Sequence, residues 1–391
     1  MKIGRIECLP LRSRHAAPDD CDGTVDTAVI RITADNGMYG LGETDAPPNA
    51  IAALLETPTA HIWSRSVRDI LLGKNPVEVE SLWDQLYEGT IYHGRRGLGI
   101  MLMSAIDNAL HDLRGKILGL PVFQVLGGAA RAEVTPYATL FPSMPQGRSW
   151  QEMQGLCFSL IDQALTLGFR ALKMEMLFDD LVSDRELVQF IYECRKRAEE
   201  ERDFMIDVGY RWKNFNDALW VLRRVEDAKL YFVEAPLQTD DLDGLARLAD
   251  STTTPVAVGE FLQTRHEFRE LMDRGHCDVI QPDLGRVGGL TEALRTARMA
   301  AERGLYCVPH AWKTGLTAAA TRHFGAVVPN CPYTELFHQD LFPSYLRSHL
   351  AKPEIALREG RWALPSEPGM GVDLDMQVVE ECLLKPATVI D

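Results

Sequence analysis

No two cysteines in this chain of 391 residues form a CxxC pair, and the eight are scattered from Cys8 to Cys382. That spacing argues against a zinc finger, a thioredoxin-like redox site and a disulfide framework. It fits reduced thiols packed in a cytoplasmic protein. No apolar run approaches the roughly 20 residues needed to cross a bilayer. The start, Met1-Lys2-Ile3-Gly4-Arg5-Ile6-Glu7, is too charged and lacks the apolar centre of a signal peptide. A cytoplasmic location is therefore expected. Positive charge is also in short supply: 41 Lys and Arg stand against 56 Asp and Glu, a net charge of -15. Nucleic acid and anionic membranes are poor partners for such a surface. No GxGxxG follows a strand, because Gly285-Arg286-Val287-Gly288-Gly289 has the wrong spacing, so a dinucleotide fold is disfavoured. The HxH pair common in metal-dependent barrel hydrolases is missing as well.

At 46% hydrophobic and 25% charged, the chain carries ample material for a large core. Residues 1–45 read as strands, with Asn36-Gly37 as a hairpin turn between two of them. A polar stretch from Arg12 to Asp26 is long for a hairpin and has the composition of a lid loop. Residues 51–118 turn helical, and the strongest helix is expected over 97–117. From Val134 onward strands and helices alternate. Eight strand candidates begin at Val134, Ala171, Phe204, Tyr231, Val256, Val279, Tyr306 and Tyr333. This rhythm predicts an α/β parallel barrel. The expected units are an α+β capping domain over 1–130, a barrel over 131–362, and a closing segment over 363–391 that packs back on the cap.

Three of these strands end on acids: Asp207, Glu234 and Glu260. In a parallel barrel all three converge at the C-terminal mouth, where their repulsion calls for a hard divalent cation, most simply Mg2+. Other strand ends supply Lys173 and Glu175, Asp283, His310 and Glu335. A carboxylate on the preceding strand, Asp283, would orient His310 as a general base. A cation held by carboxylates stabilises the charge that develops when a proton α to a carboxylate leaves. Glu335, if protonated, would donate a hydrogen bond to that developing oxyanion.

In this order along the chain, the strand-end series resembles the enolase superfamily, in particular its mandelate racemase-like subgroup. The resemblance covers the whole chain. It implies a modified (β/α)7β TIM barrel under an α+β cap, Mg2+ held by Asp207, Glu234 and Glu260, and abstraction of an α-proton from a small carboxylate. The use of a Lys or His base with Mg2+ in such sites is general knowledge of the superfamily. Many relatives end the second barrel strand with Lys-x-Lys, whereas Lys173-Met174-Glu175 carries an acid at the last position. With one strong base, dehydration of a sugar acid to a 2-keto-3-deoxy acid is favoured over racemisation or epimerisation. The rival reading keeps Glu175 or Lys173 as a second acid/base. His15, Trp312, Lys313 and His338 are candidates for lining the substrate pocket. A homo-oligomer is expected.

Overall fold

The computed structural model describes residues 1–15, 23–178 and 181–391. Of the lid-like stretch, residues 16–22 lie outside the described residues. The cap begins with three antiparallel strands, β1 (Ile3–Arg12), β2 (Asp26–Ala34) and β3 (Tyr39–Thr44). Their buried faces, with Ile6, Cys8, Ile30 and Ile32, pack on the helix Leu98–Leu118. This helix buries residues all round, including Asp107, Asn108, His111 and Asp112, because it lies between the cap sheet and the barrel. Gly40 and Gly42 let β3 approach it closely. A Cβ on Gly40 would stand 2.1 Å from the Ala109 carbonyl oxygen, where no side chain fits.

The barrel is built from eight parallel strands: β4 (Pro136–Leu140), β5 (Ala171–Glu175), β6 (Asp203–Asp207), β7 (Val233–Glu234), β8 (Val256–Val258), β9 (Val279–Ile280), β10 (Tyr306–Cys307) and β11 (Thr334–Leu336). Their order in the sheet is β10-β9-β8-β7-β6-β5-β4-β11. The alternation of apolar strands with amphipathic helices thus gives the modified TIM barrel expected of the sequence. Residues 133–134 do not begin the first barrel strand. They pair antiparallel with Arg361–Ala363 instead, and the strand starts after Thr135. The strand candidate at Val256 stops at Val258, because Gly259 takes a positive φ of 135°, and Glu260 lies just beyond.

No ladder joins β10 to β11 among the described strand pairs, so the sheet has a seam there. Hydrogen bonds bridge it. The Asn330 carbonyl accepts from the Cys307 amide at 2.9 Å, and the Glu335 carboxylate accepts from the Ala311 amide at 2.6 Å. The last strand, β12 (Thr388–Ile390), returns the C-terminal segment to the cap and pairs antiparallel with β1.

Cap and barrel are joined by buried polar contacts. Glu43, at 3% exposure, sits against the N-terminus of the helix Gly315–Val327. One of its oxygens accepts from the amide and hydroxyl of Thr314 (3.3 and 2.8 Å) and from those of Thr317 (2.7 Å each). The other accepts from the Thr27 hydroxyl at 3.1 Å. A carboxylate there satisfies amides that have no partner within the helix and faces the positive end of its dipole. No described helix is long and apolar enough to cross a membrane.

Candidate active site

Side chains alternate across a strand, so every second residue points into the barrel. Tyr137, Ala171, Met205, Phe232, Ala257, Val279 and Val308 form one inward layer, a buried apolar plug. Two residues further along each segment stand Thr139, Lys173, Asp207, Glu234, Gly259, Gln281 and His310, joined by Glu335 from β11. The polar layer therefore rests on an apolar floor. Most of it is shielded from water: Lys173, Glu234 and Glu335 are each 1% exposed.

Lys173 lies at the centre. Its ammonium group reaches Glu234 at 2.8 Å, Glu335 at 2.9 Å, Asp207 at 3.6 Å and Glu175 at 3.8 Å. Burial works against its charge, but these acids outweigh burial and hold the lysine protonated far above the usual range. The Tyr137 ring lies 5.5 Å from the same ammonium. Opposite, His310 Nδ1 is 2.6 Å from Asp283, and His310 Nε2 is 3.1 Å from Glu260 and 3.9 Å from Glu335. Burial lowers the imidazole's proton affinity, but Glu335, Asp283 and Glu260 override it and push the pKa up to about 9.

The acids are overcrowded. Burial, Glu175 and Glu234 drive the Asp207 carboxyl well above its ordinary value. Burial and neighbouring acids also raise Glu234, and Glu175 is pushed up to about 8 for the same reasons. Glu335 behaves differently. Burial would raise it, but Lys173, His310 and hydrogen bonds from Thr139 and the Ala311 amide hold it down at about 2. Flanked by Lys173 and His310, Glu335 serves as an acceptor in this arrangement.

The donor set suits a hard cation. Asp207, Glu234 and Glu260 offer only oxygens, and Glu234 Oε1 is buried without a hydrogen-bond partner. Among the described residues no group of three acids, histidines or cysteines stands as a ready cage. Glu260 explains why: its carboxylate turns to His310 and accepts from the Tyr210 hydroxyl at 2.9 Å.

The candidate lining residues divide. Trp312 stacks on Phe337 with centroids 4.0 Å apart, and Lys313 donates to the Gly23 carbonyl of the cap. His15 is exposed, bonds Glu381 at 2.7 Å and packs on Tyr345. Among the described residues no contact joins it to the polar layer. His338 is buried, but its Nδ1 accepts from the Asp340 amide within its own loop. Tyr210, Thr139, Gln281, Asp45 and Arg286 are further polar neighbours that reasoning from sequence passed over. Alternation along β4 points Thr139 inward, and Gln281 stands two residues before Asp283, so both were within its reach.

Comparison with known proteins places this geometry. Residues 159–378 match the model of the enolase C-terminal domain-like family, and residues 18–127 match the N-terminal domain of mandelate racemase and muconate lactonizing enzyme. The chain belongs to the mandelate racemase/muconate lactonizing enzyme family of the enolase superfamily. Within this family it is 29% identical to the arabinonate dehydratase of Saccharolobus solfataricus, over 91% of this chain and 90% of that one. It is 31% identical to the L-rhamnonate dehydratase of Saccharopolyspora erythraea, over 90% and 84% respectively. A solved structure described provisionally as a racemase superposes with a TM-score of 0.92 at 36% identity, covering 97% of both chains. The 3,6-anhydro-D-galactonate cycloisomerase of Zobellia galactanivorans superposes at 0.85 with 29% identity, over 98% of this chain and all of the other.

Proposed function

We propose that this chain is a Mg2+-dependent dehydratase that converts a sugar acid to a 2-keto-3-deoxy acid. One observation carries the reading: at the barrel mouth His310 is oriented by a carboxylate, while Lys173 is held protonated by Glu234 and Glu335. The dehydratase names of the relatives from Saccharolobus and Saccharopolyspora support the same substrate class.

Asp207, Glu234 and Glu260 would hold the cation, which supplies electrophilic stabilisation of the enediolate formed from the substrate. His310 Nε2 takes the α-proton, and Asp283 supports the imidazolium on the opposite nitrogen. Glu260, 3.1 Å from Nε2, stands beside the same nitrogen and so joins the cation site to the base. The proton is then delivered to the β-hydroxyl. The C–H and C–O bonds break, water departs, and the enol product ketonises. Lys173, fixed by its acids, presents a permanent positive charge to the substrate carboxylate. Trp312 and Lys313 lie beside the mouth and line the substrate's distal part.

An isomerase reading has one observation in its favour. Glu175 is pushed up to about 8, so it can both take and give a proton near neutral pH. Incubating the enzyme with Mg2+ and a library of mono- and diacid sugars in deuterated water separates the two. The dehydratase reading expects a keto acid from at least one sugar acid and only modest loss of rate in Glu175→Gln. Deuterium at the α-carbon of both epimers, with no keto acid and a loss of several decades in Glu175→Gln, refutes it.

A further inference from the structure

The loop that follows β9 carries Asp283, and it is docked on the cap along its length. The Thr44 hydroxyl donates to the Gly285 carbonyl at 2.7 Å, and the Asn108 amide to the Leu284 carbonyl at 2.9 Å. The Gly288 amide donates to the Ser104 hydroxyl at 2.8 Å, and Trp83 Nε1 to the Gly288 carbonyl at 2.7 Å. Within this dock one side chain reaches further. Arg286 is 9% exposed, and its Nε and NH2 donate to Asp45 of the cap at 2.8 and 2.5 Å. Its NH1 donates to the Glu260 carbonyl oxygen at 3.2 Å and lies 3.9 Å from the Glu260 carboxylate. Its Nε lies 3.9 Å from Asp283 Oδ2.

Asp283 and Glu260 are the two acids that flank the His310 ring, one on each nitrogen. Arg286 thus touches both neighbours of the base while being gripped by the cap. Asp45 Oδ2 takes both guanidinium bonds, and its Oδ1 is buried without a partner. We infer that Arg286, held by Asp45, is a positioning residue that sets the orientation of the His310 ring between Asp283 and Glu260. The cap therefore adjusts the base as well as covering the site. The arrangement rests on the functional reading only in taking His310 as the base. A planar fork suits such bridging and an ammonium can replace only part of it. Displacing a reacting group by about 1 Å can cost about a hundredfold in rate.

The test reads the pair with and without turnover. A proton held between His310 Nδ1 and Asp283 at 2.6 Å gives a far-downfield proton resonance, assigned by its loss in His310→Asn. Arg286→Gln and Asp45→Asn are each expected to shift or broaden that resonance, with Arg286→Lys restoring it in part. Each is also expected to lower kcat by about 10- to 100-fold with KM changed less than about threefold. The double variant should lose no more than the worse single one, because both act through the one Arg286–Asp45 pair. Independent, additive losses overturn the inference. So does a variant that melts earlier yet keeps the wild-type resonance and kcat, which marks a purely structural tie. Should the resonance respond in a protein that dehydrates no sugar acid, the positioning stands and the functional reading falls.

Discussion

Glu43 offers a sharp test of how cap and barrel hold together. Four of its five hydrogen bonds converge on one oxygen, and the fifth comes from Thr27, whose hydroxyl also lies 3.2 Å from the Thr44 carbonyl. In Glu43→Gln the amide oxygen can keep the four bonds. Its nitrogen can donate to the Thr27 oxygen while Thr27 donates to Thr44. Only the charge at the helix N-terminus is lost, worth about 1–2 kcal/mol in a buried setting, and relief from carboxylate desolvation offsets part of that. Glu43→Ala instead strands the Thr314 and Thr317 amides at about 1–3 kcal/mol each and removes the charge as well. The expected cost is about 3–8 kcal/mol. Urea unfolding followed by tryptophan fluorescence measures both, and hydrogen exchange over 314–317 localises the effect. Equal losses in the two variants would mean that charge alone matters. A loss under about 1 kcal/mol in Glu43→Ala would refute the account of this joint.

Three further outcomes are expected. Glu234→Gln should abolish calorimetric Mg2+ binding, while His310→Asn should leave affinity nearly unchanged and stop turnover. Burial, helped by Arg322, holds the His323 imidazole down at about 3, with Nδ1 accepting from the Phe123 amide and Nε2 donating to the Met370 carbonyl. The unfolded chain binds this proton near pH 6.5 and the folded one does not, so its contribution is full above that pH and fades on acidification toward 3. The slope is up to about 1.4 kcal/mol per pH unit, and His323→Asn should remove it from the pH dependence of urea midpoints. Gly40→Ala should fail to give soluble folded protein, because the intruding Cβ meets the backbone of Ala109 and Leu113. Gly37→Ala, in open space at a φ of 85°, should cost only about 1 kcal/mol by thermal melting.

What could be read from the sequence followed from period-two alternation in a parallel barrel. Lys173, Asp207, Glu234, His310 and Glu335 fall at strand ends or just beyond them, so topology alone brings them to one layer. Asp283 follows in register and meets His310 as its place one unit upstream implies. The surroundings of Glu335 were not legible, because they depend on Lys173 one strand beyond its neighbour, a contact between the second and eighth strands. Asp45 and Arg286 were invisible for a related reason. Their contact joins residues 241 positions apart, and only the docking of the cap on the β9 loop brings them together. His15 looked like a pocket residue because its loop is polar, but nothing in a loop's composition says which neighbour it meets.

The unpaired edge between β10 and β11 has a consequence for how the site is maintained. His310 hangs from one lip of that gap and Glu335 from the other, and the Ala311 amide bound to Glu335 fastens the lips at the mouth. One carboxylate thus serves as both a neighbour of the base and a clasp for the staves of the barrel. A substitution of Glu335 would slacken the clasp as it removes the charge, so its kinetic penalty would sum a chemical and a mechanical loss. Thr139, the hydroxyl on the adjacent stave that donates to the other oxygen of Glu335, is the place to separate them. Removing that hydroxyl keeps the Ala311 fastening and the flanking Lys173 and His310 in place, and leaves the acid held by one fewer hand.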